Sequence, residues 1–150
     1  MEDPTTTNEK AMEKFEFLLG DWDMEYCIPK SSMSDADTGT GSGTFKRFLD
    51  DKYVTFDYSC SFTTEGQAHA IFAWDEKAKL YRFWWFENSG NFAQATCNFL
   101  NDKVLCLNWH DSLLVQSFRA VDPDKIILKM EQPILEGKYE LVMEVTFTRK

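Results

Sequence analysis

The feature that most constrains this chain is the succession of short β-forming runs, each closed by a brief polar break. Such runs fall at 22–28, 44–49, 53–62, 67–74, 80–87, 91–100, 103–109, 113–121, 125–132 and 139–148. Links as short as Asn101-Asp102 and Asp111-Ser112 cannot cross over to a parallel neighbour, because that takes a dozen or more residues. Consecutive strands must therefore pair antiparallel. A long meander leaves two bare edges unless the sheet closes on itself. The predicted fold is all-β: an antiparallel up-and-down barrel of about ten strands with one short N-terminal helix.

Two-residue alternation supports strands with one dry face. Ile126, Leu128 and Met130 alternate with Ile127, Lys129 and Glu131, and Tyr139, Leu141, Met143, Val145 and Phe147 alternate with a more polar set. Eight strands already enclose room for a small ligand, so ten enclose more unless large side chains fill it. With 13 Phe, 5 Trp and 5 Tyr, the chain has rings enough to fill part of that interior.

Ahead of the first run the period is helical. Thr6 and Glu9 have the spacing of a capping box, Ala11, Phe15, Leu18 and Leu19 follow on one face, and Gly20 offers a helix stop. This predicts a helix over 7–18. At Gly20 the period changes to two, placing Trp22, Met24, Tyr26 and Ile28 opposite Asp21, Asp23 and Glu25. Residues 1–6 are expected to form a disordered tail and 7–150 a single barrel domain. The long link at 29–43, with Gly39, Gly41 and Gly43, is expected to be a mobile flap.

Charge narrows the partners. Twenty-five acidic residues against 16 basic ones give a net charge of -9, which disfavours nucleic acid and membrane surfaces. The N-terminal Met1-Glu2-Asp3-Pro4-Thr5 lacks the basic and then apolar pattern of a secretory signal, so a soluble cytoplasmic protein is expected. Cys27, Cys60, Cys97 and Cys106 form no C-x-x-C pair and sit within β-forming runs, as reduced thiols do.

The helix ending in Leu18-Leu19-Gly20, the G-x-W of Gly20-Asp21-Trp22 and the meander behind it resemble the calycin superfamily of lipocalins and fatty-acid-binding proteins. The stretch "FAWDEKAKLYRFWWFENSGNF" at 72–92 is similar to a lipocalin-like bacterial domain of unknown function. The resemblance covers Phe15 to the C-terminus. It implies that Trp22 packs across the closed barrel end beside the helix. Haem-binding relatives among ten-stranded calycin-like barrels carry a longer G-x-W-x-G opening, in which Met24 stands here at the second glycine.

If the helix closes one end, the links at 29–43, 63–66, 88–90, 110–112 and 133–138 gather at the other. Both histidines lie at that level. An aromatic wall with polar groups at one end is the usual make-up of a small-molecule pocket. The ligand-binding candidates are His69, Tyr81, Phe83, Trp85, Glu87, Asn91, Asn108 and His110. The run "LYRFWWF" places Tyr81, Phe83 and Trp85 on one face and Arg82, Trp84 and Phe86 on the other, and leaves open which face is inward. An outward strip of Arg82, Trp84 and Phe86 would suit a homodimer contact.

The expected function is therefore binding of a small apolar or amphipathic molecule inside the barrel. Two alternatives stand beside it: an enzyme using a mouth histidine as acid or base, and a filled barrel serving as an interaction module. The sequence "NWHDS" is no triad, because neighbours on a strand point to opposite faces. Parity with Leu105, Leu107 and Trp109 would turn His110 outward. Two isolated histidines give no zinc signature, and neither a metal nor any other cofactor is expected.

Overall fold

A computed structural model describes residues 4–32, 35–60 and 66–150. The helix α1 spans Pro4–Glu13, and a single 3-10 turn at Glu16–Leu18 leads into the sheet. Ten strands follow: β1 (Gly20–Ile28), β2 (Asp37–Phe48), β3 (Tyr53–Cys60), β4 (Gly66–Asp75), β5 (Leu80–Glu87), β6 (Phe92–Asn101), β7 (Val104–Trp109), β8 (Val115–Asp122), β9 (Lys125–Leu135) and β10 (Lys138–Arg149). Each pairs with its neighbours in the sequence, and β1 pairs with β10 to close the barrel. The closing register runs from Trp22 opposite Arg149 to Cys27 opposite Glu144.

Closure leaves no sheet edge, and short links suffice because each strand pairs antiparallel with its neighbour in sequence. The links at one end accompany the helix; the opposite end carries those near residues 29–36, 88–91, 110–114 and 136–137. The last two residues of the predicted run 53–62, and most of the link at 63–66, lie outside the described residues.

Helix and sheet meet in a packed plug. Met12, Phe15, Leu18 and Trp22 are fully buried, and the Phe15 ring lies 4.9 Å from Phe72, 5.0 Å from Phe99 and 5.3 Å from Tyr81. Burying each such ring stabilises the fold by roughly 1.5–3 kcal/mol. The helix departs from its predicted range: it begins earlier, at Pro4, which places position 6 inside it and not ahead of it. It also ends earlier, and the turn at Glu16–Leu18 tightens to 3-10. Gly20 opens β1 with φ +124° instead of capping a helix, and the Arg149 guanidinium fills the space a Cβ would need there.

The expectation for 29–43 is corrected more deeply. From Asp37 onward this segment is strand, with Gly39, Gly41 and Gly43 opposite Tyr26, Met24 and Trp22. The glycines recur every second residue, so all three sit on the inward face. Their missing side chains leave room for neighbouring rings: a Cβ on Gly43 would lie 2.5 Å from Phe56 Cε1, and one on Gly41 would meet the Ser59 carbonyl oxygen and, at 3.2 Å, Tyr26 Cε2. What remains of the link is held at Ser32, whose N–H donates to Glu140 Oε1 at 2.7 Å while Gln132 Nε2 donates to Ser32 Oγ at 2.9 Å. The Ser32 N–H holds the Glu140 carboxyl below its usual range.

On β10 the predicted alternation fails toward its start, where a first register shift against β9 falls between Lys138 and Tyr139. A second shift lies between Leu141 and Met143; Tyr139 is exposed, while Val145 and Phe147 beyond both shifts are buried.

Candidate functional site

Above the plug the barrel is not filled. A cavity of about 370 Å³ occupies the half away from the helix, within the size range of small-molecule sites. Its base is apolar, built by Met24, Phe56, Phe118, Leu128, Val145 and Phe147. Tyr26, Tyr58, Phe83, Trp85 and Trp109 form the walls, and Glu87, Asp111, Ser112 and Leu114 reach the rim.

Strand parity produces this layout. On β5 the odd positions point inward: Tyr81 and Phe83 are buried, Trp85 is half-buried, and Glu87 ends the row at the rim. The rings then join around the barrel. Phe45 stacks on Phe56 at 4.1 Å, Phe56 on Tyr58 at 5.7 Å, and Tyr58 on Trp85 at 5.2 Å. Trp109 meets Phe83 edge-on at 5.4 Å and Trp85 at 6.5 Å. These geometries suit the ring quadrupoles and give the cavity a continuous aromatic wall.

Polar groups in the cavity fall into two sets. At the rim Glu87 is engaged, accepting from Trp85 Nε1 at 2.9 Å and from Ser89 Oγ at 3.0 Å. Deeper, Gln116 is 6% exposed and its Oε1 has no protein hydrogen-bond partner; the same is true of the buried Trp109 Nε1. Burial pushes the Tyr26 and Tyr58 hydroxyls well above their ordinary range, and for Tyr58 the nearby Cys60 and Glu87 add to the effect. Both phenols are therefore neutral across physiological pH.

Of the candidate residues taken from the sequence, Phe83, Trp85 and Glu87 line the cavity together. Tyr81 faces inward but belongs to the plug, where its hydroxyl donates to Ala11 O at 2.7 Å. His69 lies on the outer face of β4, with Nδ1 2.5 Å from Asp57 Oδ1 across the strand pair. Asn108 is exposed on the outer face of β7, opposite Thr96. Asn91 sits in an exposed turn and His110 in the exposed link after β7. These four are not cavity residues, because period-two alternation turns His69 and Asn108 outward and the ends of the strands carry Asn91 and His110 past the wall. Being at the level of the mouth did not place a side chain in it.

Sequence reasoning missed Tyr26, Tyr58, Trp109 and Gln116. For Gln116 a signal existed: it stands in the apolar phase of its strand, between Leu114 and Phe118. Among the described residues no cluster of three His, Cys, Asp or Glu side chains could hold a metal ion. Nor is any helix long and apolar enough to cross a membrane among them. Cys27, Cys60, Cys97 and Cys106 are all free thiols.

Fold and site together define a closed ten-stranded antiparallel barrel with a cavity at the end away from its helix. Rv2717c from M. tuberculosis has a similar structure, with a TM-score of 0.64 at 12% identity over 93% of this chain and 97% of that one. The S-type phycobiliprotein lyase CPES from Guillardia theta follows at 0.54 and 12% identity, covering 99% and 98% of the two chains. A de novo designed fluorescence-activating β-barrel gives 0.46 at 12% identity, over 90% and 95%. At such identities the likeness to the first two establishes the shared fold alone. No protein-family model matches the chain, and no curated protein does.

Proposed function

We propose that this protein is a calycin-like binding protein that takes up a small apolar or amphipathic molecule inside the barrel. The observation that carries this is the cavity of about 370 Å³ with its unbroken wall of Phe, Tyr and Trp rings. Catalysis by a mouth histidine has less support, since neither His69 nor His110 lines the cavity. An acidic chain with four free thiols fits a reducing, cytoplasmic setting and partners other than nucleic acid or membrane surfaces.

The test uses the neutral apolar dye Nile red. Its emission should rise on mixing with the protein and the tryptophan emission should be quenched. Ala93→Trp, which adds a ring to the cavity wall, should abolish both signals while the circular dichroism spectrum stays the same. Dye binding that survives Ala93→Trp would place it elsewhere and reject the proposal.

A second role rests on a separate surface. Phe86 and Phe92 face each other across β5 and β6 and are 45% and 72% exposed, beside the half-buried Trp84. This strip suits a homodimer contact. Sedimentation of the wild-type chain as a monomer at high concentration would remove that role and leave the cavity untouched.

A further inference from the structure

The charges around the cavity are one-sided. Of its lining residues only Glu87 and Asp111 carry charged side chains, and both are carboxylates exposed at the rim. No lysine, arginine or histidine is among them. Lys30, His110 and Lys138 stand at the same end of the barrel, but all three are exposed and none lines the cavity.

Elsewhere the chain gives some of its acids basic partners: Asp75 pairs with Arg82 at 2.7 Å and Asp124 with Arg149 at 3.5 Å. Among the described residues neither Glu87 nor Asp111 has such a partner. Unpaired acids are common on the surface of a chain with net charge -9, but Glu87 is set apart by its anchoring to the cavity wall. Its Oε2 accepts from Trp85 Nε1 at 2.9 Å and its Oε1 from Ser89 Oγ at 3.0 Å. Its backbone is fixed as well, the N–H donating to Asn91 O and the C=O accepting from the Gly90 N–H. Each carboxylate oxygen keeps a lone pair for a further donor.

The acid adjoins the rings. Tyr58 stacks on Trp85 at 5.2 Å, and after burial and Cys60, Glu87 is a third cause raising the Tyr58 hydroxyl above its ordinary range. A carboxylate held in place beside an apolar opening, with no cation of the protein on it, is preorganised for a cation from outside. Aromatic faces nearby favour the same sign of charge.

We propose that the ligand is an organic cation, with a flat apolar body that lies in the cavity and a protonated nitrogen that meets Glu87 at the rim, where Asp111 adds to the negative field. This deepens the proposed function and rests on the cavity being the ligand site. A fatty acid or other carboxylate amphiphile would bring its charge to two carboxylates and is disfavoured.

The experiment compares three probes that share a naphthalene ring: 2-naphthylmethylamine, a cation at neutral pH; 2-naphthalenemethanol, its neutral counterpart; and 2-naphthoate, an anion. Equilibrium dialysis with absorbance detection gives the affinities, and circular dichroism checks each variant. The wild type should bind the amine at least about fivefold more tightly than the alcohol, the scale of a partly exposed ion pair beside an aromatic ring, with 2-naphthoate weakest. Glu87→Gln keeps an acceptor for Trp85 Nε1 and should bring the amine close to the alcohol; Asp111→Asn should act in the same direction but less. Asp102→Asn removes an equal charge at the closed end, in the link between β6 and β7, and should leave the preference for the amine in place. The comparison of probes on the wild type stands whether or not a variant folds.

Equal binding of amine and alcohol to the wild type would overturn this inference and leave the cavity as an apolar site. A preference for the amine that falls as much with Asp102→Asn as with Glu87→Gln would assign it to net charge, and tightest binding of 2-naphthoate would reverse its sign; either overturns the inference. Failure of all three probes while Nile red still binds would do so too. Failure of Nile red as well would overturn the proposed function itself, and the ligand class with it.

Discussion

The two ends of the barrel each receive an indole and treat its N–H in opposite ways. At the closed end Trp22 is fully buried and donates to Leu18 O at 2.8 Å. Arg149 lies 4.1 Å above the same ring and donates to Leu19 O at 2.6 Å and to Pro123 O at 3.2 Å. One side chain thus caps the ring and occupies carbonyl oxygens at the end of the 3-10 turn and in the link between β8 and β9. At the open end Trp109 is only partly buried and its N–H has no protein partner. The two indoles differ in this respect alone: Asn8 Oδ1 in the helix is buried without a partner as Trp109 Nε1 is, so the contrast lies in how each end holds its tryptophan.

This difference predicts where substitutions cost most. Trp22→Ala should destabilise the fold by about 3–5 kcal/mol, the range for removing a large buried aromatic. Urea unfolding read by circular dichroism measures it. Trp109→Ala should cost clearly less, because that ring borders space instead of filling it. Equal losses at the two positions would break the comparison between the ends.

The inward glycines of β2 connect the two ends, and their effect should come next in size. Gly43→Ala drives a methyl toward Phe56, and Gly41→Ala drives one against the Ser59 carbonyl and Tyr26. Each should cost about 1–3 kcal/mol by overpacking. Because Phe56 and Tyr26 line the cavity, each should also weaken Nile red binding. Loss of stability without any change in dye binding would confine these glycines to a packing role.

These same glycines show where the sequence was legible. Antiparallel order, closure and the end assignment followed from link lengths and alternation, which are properties of the backbone. The strand within 29–43 is hard to read because glycine lowers strand propensity, so composition outweighs the regular spacing of Gly39, Gly41 and Gly43. Phe83, Trp85 and Glu87 were found through the alternation of β5. His69, Asn91, Asn108 and His110 were chosen for chemical type and level along the barrel, and neither property fixes which way a side chain points. Gln116 carries no chemical signature of a site; only its phase among apolar neighbours marks it.

Titration of the tyrosines sharpens the contrast at a smaller scale. Burial, with Cys97 nearby, pushes the Tyr81 hydroxyl up to about 12 from 10. Between those values the folded chain holds a proton that the unfolded chain has released, so stability is complete below pH 10 and falls as pH rises toward 12. Tyr26 and Tyr58 shift in the same direction. Tyr81→Phe removes the hydrogen bond to Ala11 O, which should cost about 1 kcal/mol at neutral pH. It should also flatten part of the alkaline loss, measured as urea midpoints from pH 9 to 12. An unchanged alkaline slope would assign that loss to the cavity tyrosines instead.

The smallest expected effect carries the opposite sign. Gln116→Met replaces a buried carboxamide by an unbranched apolar side chain of similar length and removes an acceptor that no protein group serves. The free protein should be unchanged or more stable by up to about 1 kcal/mol, since replacing an unmet polar group by an apolar one of like shape is neutral or favourable. A comparable removal of polar contacts at the closed end, Arg149→Met, strips donors from Leu19 O and Pro123 O and uncovers Trp22, so it should lower the urea midpoint. The pair sets the two ends against each other in one measurement. If Gln116→Met destabilised the free chain as Arg149→Met does, its carboxamide would be a structural group, and the open end would lose the property that separates it from the closed one.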